Sequence, residues 1–159
     1  MKSRNNEKTE RILMLLKIDA NNLFNRVSSR KIEYLEIFAL RRTREHFPMI
    51  FKNRYDSTNL HDLSNCSTDL ITSLDQYYTV ADEVSWYLFQ TEDMPNTVET
   101  YMDRKIKRME KLLSTLNLFL DAELGIEGEI KIDTQPLFID QPESQDFSTF
   151  TEDDTSQES

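Results

Sequence analysis

A short polar stretch near the middle of the chain places three chemically active side chains close together. Within the six residues LHDLSN, His61 is followed directly by Asp62 and, after two more residues, by Asn65. An imidazole can act as a nucleophile or a general base near neutral pH, and a neighbouring carboxylate can orient it or accept its proton. If Leu60 and Leu63 face a core on a helix, His61 points outward, with Asn65 one turn away on the same side. The sequence therefore predicts an exposed imidazole that another protein can reach.

This stretch resembles the dimerisation and histidine-phosphotransfer domain of two-component sensor kinases. In that family the phosphorylated histidine is followed by an acidic residue and, three positions later, by Thr or Asn, as in His61, Asp62 and Asn65. The resemblance implies that His61 exchanges a phosphoryl group with a receiver-domain aspartate, that Asp62 assists and that Asn65 orients a water or the reacting group. It also implies a homodimer without a cofactor of its own, since magnesium would come with the response-regulator receiver domain.

The apolar residues behind the motif are also similar to those of the family. Leu63, Leu70 and Leu74 stand at positions that are apolar in its first helix. Two residues depart from the pattern, because Ser67 replaces an apolar residue and Cys66 replaces a frequent proline. Because the proline is missing, the resemblance does not extend to the local bend of the family's helix.

The resemblance covers residues 58–139 at most. Residues 101–131 look like the family's second helix, and the stretch EIKIDTQPLFID is similar to the strand that opens its ATP-binding domain. The residues after this stretch contain no asparagine box and no glycine-rich lid. We therefore expect no ATP-dependent kinase activity, and residues 1–57 are left outside the resemblance.

Apolar side chains predict the helices that must position the motif. From residue 58 they recur at alternating spacings of three and four residues, which is typical of a helical seam. Ser57 or Thr58 is expected to cap this helix, a turn at 91–96 interrupts the pattern, and Gly125 ends the second helix. The first seam comprises Leu60, Leu63, Ser67, Leu70, Leu74, Tyr77, Ala81, Val84 and Leu88. The second comprises Val98, Met102, Lys105 or Ile106, Met109, Leu113, Leu116, Leu120 and Leu124.

A short connection favours antiparallel packing, so the sequence predicts a helical hairpin over residues 58–124 in an all-α fold, completed as a four-helix bundle. Charge favours the same pairing, because no Lys or Arg lies between Arg54 and Arg104 and the returning helix is rich in both. Two further helices are expected in the N-terminal region, residues 1–57. One covers 5–27 and buries Ile12, Leu16, Leu23 and Val27. The other covers 31–47, buries Ile32, Leu35, Phe38 or Ala39 and the stem of Arg42, and ends or bends at Pro48.

The net charge of −10 is unevenly distributed along the chain. Residues 133–159 contain eight acidic and no basic residues, so the other residues carry 21 acidic against 19 basic, or −2. A nearly neutral body argues against sequence-independent nucleic-acid binding, which requires a basic surface, and favours a protein partner. We expect a short strand-like stretch after Gly125, at 129–132, and then a disordered acidic tail from about 140 to 159.

The single Cys66 can form neither an internal disulfide nor a zinc site by itself. The longest apolar run near the start, Ile12 to Leu16, is too short to span a membrane. These features predict a cytoplasmic protein without a membrane partner.

Two other interpretations remain open. In the first, the chain is a non-catalytic helical adaptor or chaperone that holds another protein. The aromatic cluster around residues 77–89 is then expected in the core or at a dimer interface. In the second, Arg41 and His46 form the Arg-x4-His element that resembles that of helical HEPN ribonucleases.

Overall fold

A computed structural model describes residues 4–126, which form five α-helices and two short 3-10 helices without a strand among them. The predicted all-α fold is confirmed. In chain order the elements are α1 (Arg4–Ser28), α2 (Lys31–Ala39), α3 (Phe47–Ile50), the 3-10 helices Tyr55–Ser57 and Leu60–Leu63, α4 (Thr68–Gln90) and α5 (Pro95–Leu124). No helix in this part of the chain is long and apolar enough to cross a membrane. The predicted strand-like stretch and acidic tail lie outside the described residues.

Helices α4 and α5 contact each other along most of their length and run in opposite directions. At one end the rings of Tyr87 and Tyr101 stack with their centroids 3.6 Å apart. At the other end the backbone nitrogen of Ser67 donates to Glu123 Oε1 at 2.8 Å. The connection at residues 91–94 is short because Pro95, which lacks a backbone N–H, starts α5 directly.

The core is built from the apolar stripes of α1, α4 and α5. Leu16, Leu23 and Val27 of α1 are buried as expected, whereas Ile12 is only partly buried. Helix α4 buries Leu70, Leu74, Tyr77, Tyr78, Val80, Ala81, Val84 and Leu88, and α5 buries Val98, Met102, Met109, Leu113, Leu116 and Leu120. Both apolar stripes of the α4–α5 pair therefore face inward.

Helix α4 begins at Thr68, so the expected helix start at Ser57 or Thr58 is wrong by about ten residues. Short polar side chains hydrogen-bond the local backbone before α4 and compete with helix formation. Asn59 Oδ1 accepts from the backbone N–H of His61 at 2.9 Å, and Ser64 Oγ donates to the carbonyl of His61 at 2.7 Å. Ser67 is the N-cap, and its hydroxyl accepts from the N–H of Leu70 at 3.2 Å. Consequently Leu60 is 77% exposed and does not belong to the seam.

Helix α2 ends at Ala39, which is eight residues before the expected end at 47. Arg41 adopts a left-handed conformation with φ of 52°. The N–H groups of Arg41 and Arg42 donate back to the carbonyls of Phe38 and Ile37, at 3.4 and 3.0 Å. This is the Schellman arrangement that terminates helices, formed here without the usual glycine.

The buried face of α2 also differs from the prediction. Tyr34 and Ile37 are buried, whereas Ile32 is 72% exposed and Arg42 is exposed. The hydroxyl of Tyr34 donates to the carbonyl of Val27 at 2.9 Å, and this contact holds the Tyr34 side of the helix against the end of α1. Pro48 lies in the first turn of α3, where its missing N–H is tolerated, and not at the end of α2.

Buried polar groups join α1 to the rest of the structure. Asp19 is only 8% exposed, and its Oδ2 accepts from the hydroxyl of Tyr78 at 2.8 Å and from the backbone N–H of Arg54 at 3.1 Å. The neighbouring hydroxyl of Tyr77 donates to the carbonyl of Ala20 at 2.6 Å. These directional contacts fix α1 against α4 and hold the segment after α3 in place.

Candidate functional site

His61 lies on the 3-10 helix Leu60–Leu63 with its side chain exposed. Its backbone is held at both ends, by the side chain of Asn59 at the nitrogen and by Ser64 at the carbonyl. Within residues 4–126 the imidazole itself forms no hydrogen bond or ion pair. The ring is therefore exposed as predicted, but on a single turn instead of a long helix.

Asp62 is engaged by the first helix instead of by the histidine. Its Oδ1 lies 3.0 Å from Lys8 Nζ of α1. The carboxylate side chain is largely shielded, whereas the lysine side chain remains mostly exposed. No local pattern indicates this pairing, because Lys8 precedes Asp62 by more than fifty positions.

The structure brings His61, Asp62 and Asn65 to one surface depression. Its volume is about 410 Å³. Its remaining lining comes from Ser64 and from three residues of α1, namely Asn5, Lys8 and Thr9. The exposed imidazole thus shares this depression with the ion pair of Lys8 and Asp62, and the lysine ammonium of that pair is a group that can attract an anion such as a phosphoryl group.

A second surface lies between α4 and α5, next to the connecting turn. We call it the aromatic groove and define it by its lining residues Glu83, Trp86, Tyr87, Gln90, Thr91, Tyr101 and Lys105, which enclose about 490 Å³. The stacked rings of Tyr87 and Tyr101 are tilted by only 17°. Trp86 stands beside them and is 68% exposed. Of the predicted aromatic cluster, Tyr77 and Tyr78 belong to the core, whereas Trp86 does not.

Charged groups surround the stacked rings of the aromatic groove. The guanidinium carbon of Arg104 and Nζ of Lys105 lie 5.5 and 5.6 Å from the centroid of the Tyr101 ring. These are distances at which a cation is attracted to an aromatic face. The hydroxyl of Tyr87 donates to Asp93 Oδ2 at 2.7 Å. Burial, together with this hydrogen bond to Asp93, raises the pKa of Tyr87 to about 12, so the hydroxyl remains protonated at neutral pH.

Arg41 and His46 have different neighbours in the structure. Arg41 lines a depression of about 610 Å³ together with Arg42, Arg44, Glu92 and other residues, but His46 is not among them. His46 Nε2 instead lies 3.0 Å from Glu33 Oε2. The geometry therefore gives no support to an Arg-x4-His catalytic pair.

Among residues 4–126, no group of three or more His, Cys, Asp or Glu side chains is arranged to hold a metal ion. No protein-family model, curated protein or solved structure matches the chain.

Proposed function

We propose that this protein is a non-catalytic helical adaptor that binds a protein partner through the aromatic groove. The observation that carries this proposal is the exposure of Trp86 beside the stacked rings of Tyr87 and Tyr101. Tryptophan and tyrosine are enriched at the centres of protein interfaces, where burial of a large ring removes much apolar surface from water. A partner side chain placed on these rings would cover the indole.

Contacts from other elements hold the end of the groove in shape. Arg44 Nη1 donates to the carbonyls of Leu88 and Thr91, at 3.0 and 2.6 Å. The hydroxyl of Thr91 accepts from the backbone N–H of Asp93 at 3.1 Å. Because these bonds already order the connecting turn, binding there costs little additional conformational entropy. This preorganisation favours a recognition surface.

Replacement of Trp86 tests the adaptor function. We expect a photo-reactive amino acid at position 86 to crosslink a partner in cells, and the same group at exposed Ile32 to leave that partner unlabelled. With the partner purified, burial of the indole should shift tryptophan fluorescence, and because the chain has one tryptophan, the same titration with Trp86→Phe measures the partner's own emission for subtraction. Trp86→Ala should weaken binding by roughly 30-fold, as for an interface hot spot of about 2 kcal/mol.

Ile32→Ala is the matched control, since it also removes an exposed apolar side chain from a helix. We expect it to bind the partner as the wild type does. Equal binding by Trp86→Ala and the wild type would contradict the adaptor proposal.

Histidine phosphotransfer is the second candidate function. It is favoured by the depression that His61, Asp62 and Asn65 share with Lys8. In this proposal a ring nitrogen of His61 attacks the phosphorus of a receiver's aspartyl phosphate, the bond from phosphorus to the carboxylate oxygen breaks, and the carboxylate leaves. Lys8 would offset phosphate charge, and Asn65 would orient the group. The family resemblance adds a homodimer, which sedimentation can measure.

Phosphate labelling tests this candidate. We expect acid-labile, base-stable phosphate on the wild-type protein after mixing with phosphorylated receiver domains, and none on His61→Gln. His46→Gln is a matched control, because the chain contains only two histidines, and it should be labelled as the wild type is. Absence of label on the wild type across a broad receiver panel, or persistent label on His61→Gln, would exclude the role of His61.

A further inference from the structure

Helix α5 carries a dense basic stretch beside the aromatic groove. Residues 104–111 contain five basic residues and one acidic residue, Glu110, giving a net charge of +4. This local charge opposes the net charge of −10 of the whole chain. The basic members are Arg104, Lys105, Lys107, Arg108 and Lys111.

Most of these cations are not used to hold the fold together. Lys105 pairs with Glu83 of α4, Nζ to Oε1 at 3.3 Å. The nearby acidic groups of α5, Glu99 and Asp103, pair instead with Lys31 of α2. Within residues 4–126, no ion pair is formed by Arg104, Lys107, Arg108 or Lys111. The predicted pairing of an acidic α4 with a basic α5 thus reduces to one contact, and the other charges face solvent.

The two arginines among the unpaired cations are Arg104 and Arg108. Arg104 lies against the ring of Tyr101, which lines it. Arg108 follows Arg104 by four residues and Lys105 by three, so it continues the same side of α5. An occupant of the groove would therefore contact aromatic rings and guanidinium groups at the same time.

We infer that the occupant is an acidic segment of a partner protein that carries an aromatic side chain. This inference rests on the proposed adaptor function. The aromatic ring packs against Trp86 and Tyr101, while carboxylates a few residues away pair with Arg104 and Arg108. Guanidinium groups suit this role because they bind carboxylates in a bidentate manner and also stack on rings. Acidic motifs are recognised by arginine clusters in this way.

Charge favours an acidic polypeptide over a nucleic acid or a second copy of this chain as the occupant of the aromatic groove. A nucleic acid would meet a chain with a net charge of −10, whose repulsion opposes binding at a single basic stretch. In a two-fold dimer centred on the groove, the basic stretch of each copy would lie near its own equivalent. Like charges brought together in this way are unfavourable. An acidic polypeptide segment avoids the second penalty, and its few carboxylates meet less of this repulsion than the closely spaced phosphates of a nucleic acid.

Selection from a random library of 12-residue peptides on the immobilised full-length protein tests the inference, with counter-selection on Arg104→Glu/Arg108→Glu. We expect enriched peptides to carry an aromatic residue within about four positions of two or more Asp or Glu residues. Their affinity, followed through the fluorescence of Trp86, should fall at least tenfold in the double variant and with added salt. Arg11→Glu/Arg41→Glu is the control, since it reverses two exposed arginines elsewhere and should bind the peptides as the wild type does.

The outcomes separate this inference from the adaptor function. Enriched peptides that require Trp86 but lack acidic residues would overturn the inference and leave the adaptor function standing. Failure to enrich any peptide, or binding unaffected by Arg104→Glu/Arg108→Glu, would also overturn it. Displacement of the peptides by an oligonucleotide, or a dimer that is lost in Trp86→Ala, would assign the groove to another occupant. Only the crosslinking and affinity measurements at position 86 decide the adaptor function itself.

Discussion

Asp19→Ala should lower the free energy of unfolding by about 3 kcal/mol, because removal of one shared acceptor leaves two hydrogen-bond donors without a partner. The carboxylate of Asp19 accepts from the hydroxyl of Tyr78 and the backbone N–H of Arg54. Without it, the buried hydroxyl of Tyr78 and the part-buried N–H of Arg54 lose their partner. Urea denaturation at neutral pH, followed by the helical circular dichroism signal, measures the loss.

Two milder variants serve as controls for Asp19→Ala. Asp19→Asn retains an oxygen acceptor, and Tyr78→Phe removes only one donor, so each should cost roughly 1 kcal/mol. The double variant Asp19→Ala/Tyr78→Phe should be less destabilised than the sum of its parts, because the two changes remove one shared bond. A loss below about 1 kcal/mol in Asp19→Ala would show that the buried carboxylate is not needed for stability.

Alkaline unfolding is the second large effect that we expect. Burial is the largest cause of a raised pKa at all six tyrosines of the chain, Tyr34, Tyr55, Tyr77, Tyr78, Tyr87 and Tyr101. In the unfolded chain these phenols lose their protons near pH 10, whereas in the folded protein they keep them to higher pH. Above about pH 10 the unfolded state therefore binds fewer protons, and the free energy of unfolding falls as the pH rises. For Tyr87 the loss continues up to a pH of about 12, whereas below pH 10 the tyrosines add no pH dependence.

Urea denaturation at a series of pH values from about 8 to 11.5 measures this loss, with tyrosinate absorbance recorded in parallel. We expect absorbance and unfolding to rise together, since the phenols ionise mainly when the chain opens. Tyr78→Phe should reduce the slope of stability against pH above 10, because a group with a raised pKa is removed. Full tyrosinate absorbance in a still folded protein near pH 10 would contradict the expectation.

The features of the fold that depend on local sequence could be predicted. The scarcity of glycine and proline indicates an all-α chain, and this is confirmed. Pro95 and Gly125 lie at the two ends of α5, where the absent N–H of proline and the left-handed φ of 78° at glycine suit a helix start and stop. The apolar periodicity between these residues also marks the side that becomes buried.

The end of α2 and the start of α4 could not be predicted from periodicity. The left-handed Arg41 ends α2 where no glycine marks the end. Ser67 competes with Ser57 and Thr58 as the cap of α4, and only the set of side-chain to backbone bonds around His61 decides between them. Apolar periodicity that continues over a polar stretch predicts too long a helix when the polar side chains can hydrogen-bond the nearby backbone N–H and C=O groups instead.

The candidate sites, like the helix ends, could be predicted only in the parts that depend on local sequence. Closeness in sequence alone brings His61, Asp62 and Asn65 together, but the ion pair of Asp62 with Lys8 depends on the packing of α1. The aromatic groove needs both α4 and the return of α5. One signal for it was present, because Trp86 falls between the seam residues Val84 and Leu88 and therefore off the buried stripe.

The ion pair between Lys8 and Asp62 links the surroundings of His61 to the fraying of a helix end. Lys8 lies within the first two turns of α1, and terminal turns open locally at a small fraction of the free energy of global unfolding. Each such opening withdraws the ammonium group and leaves the carboxylate of Asp62 without this counter-charge. The ion pair next to His61 in sequence therefore follows a helix–coil equilibrium in the first turns of α1, which can fluctuate while the core remains folded.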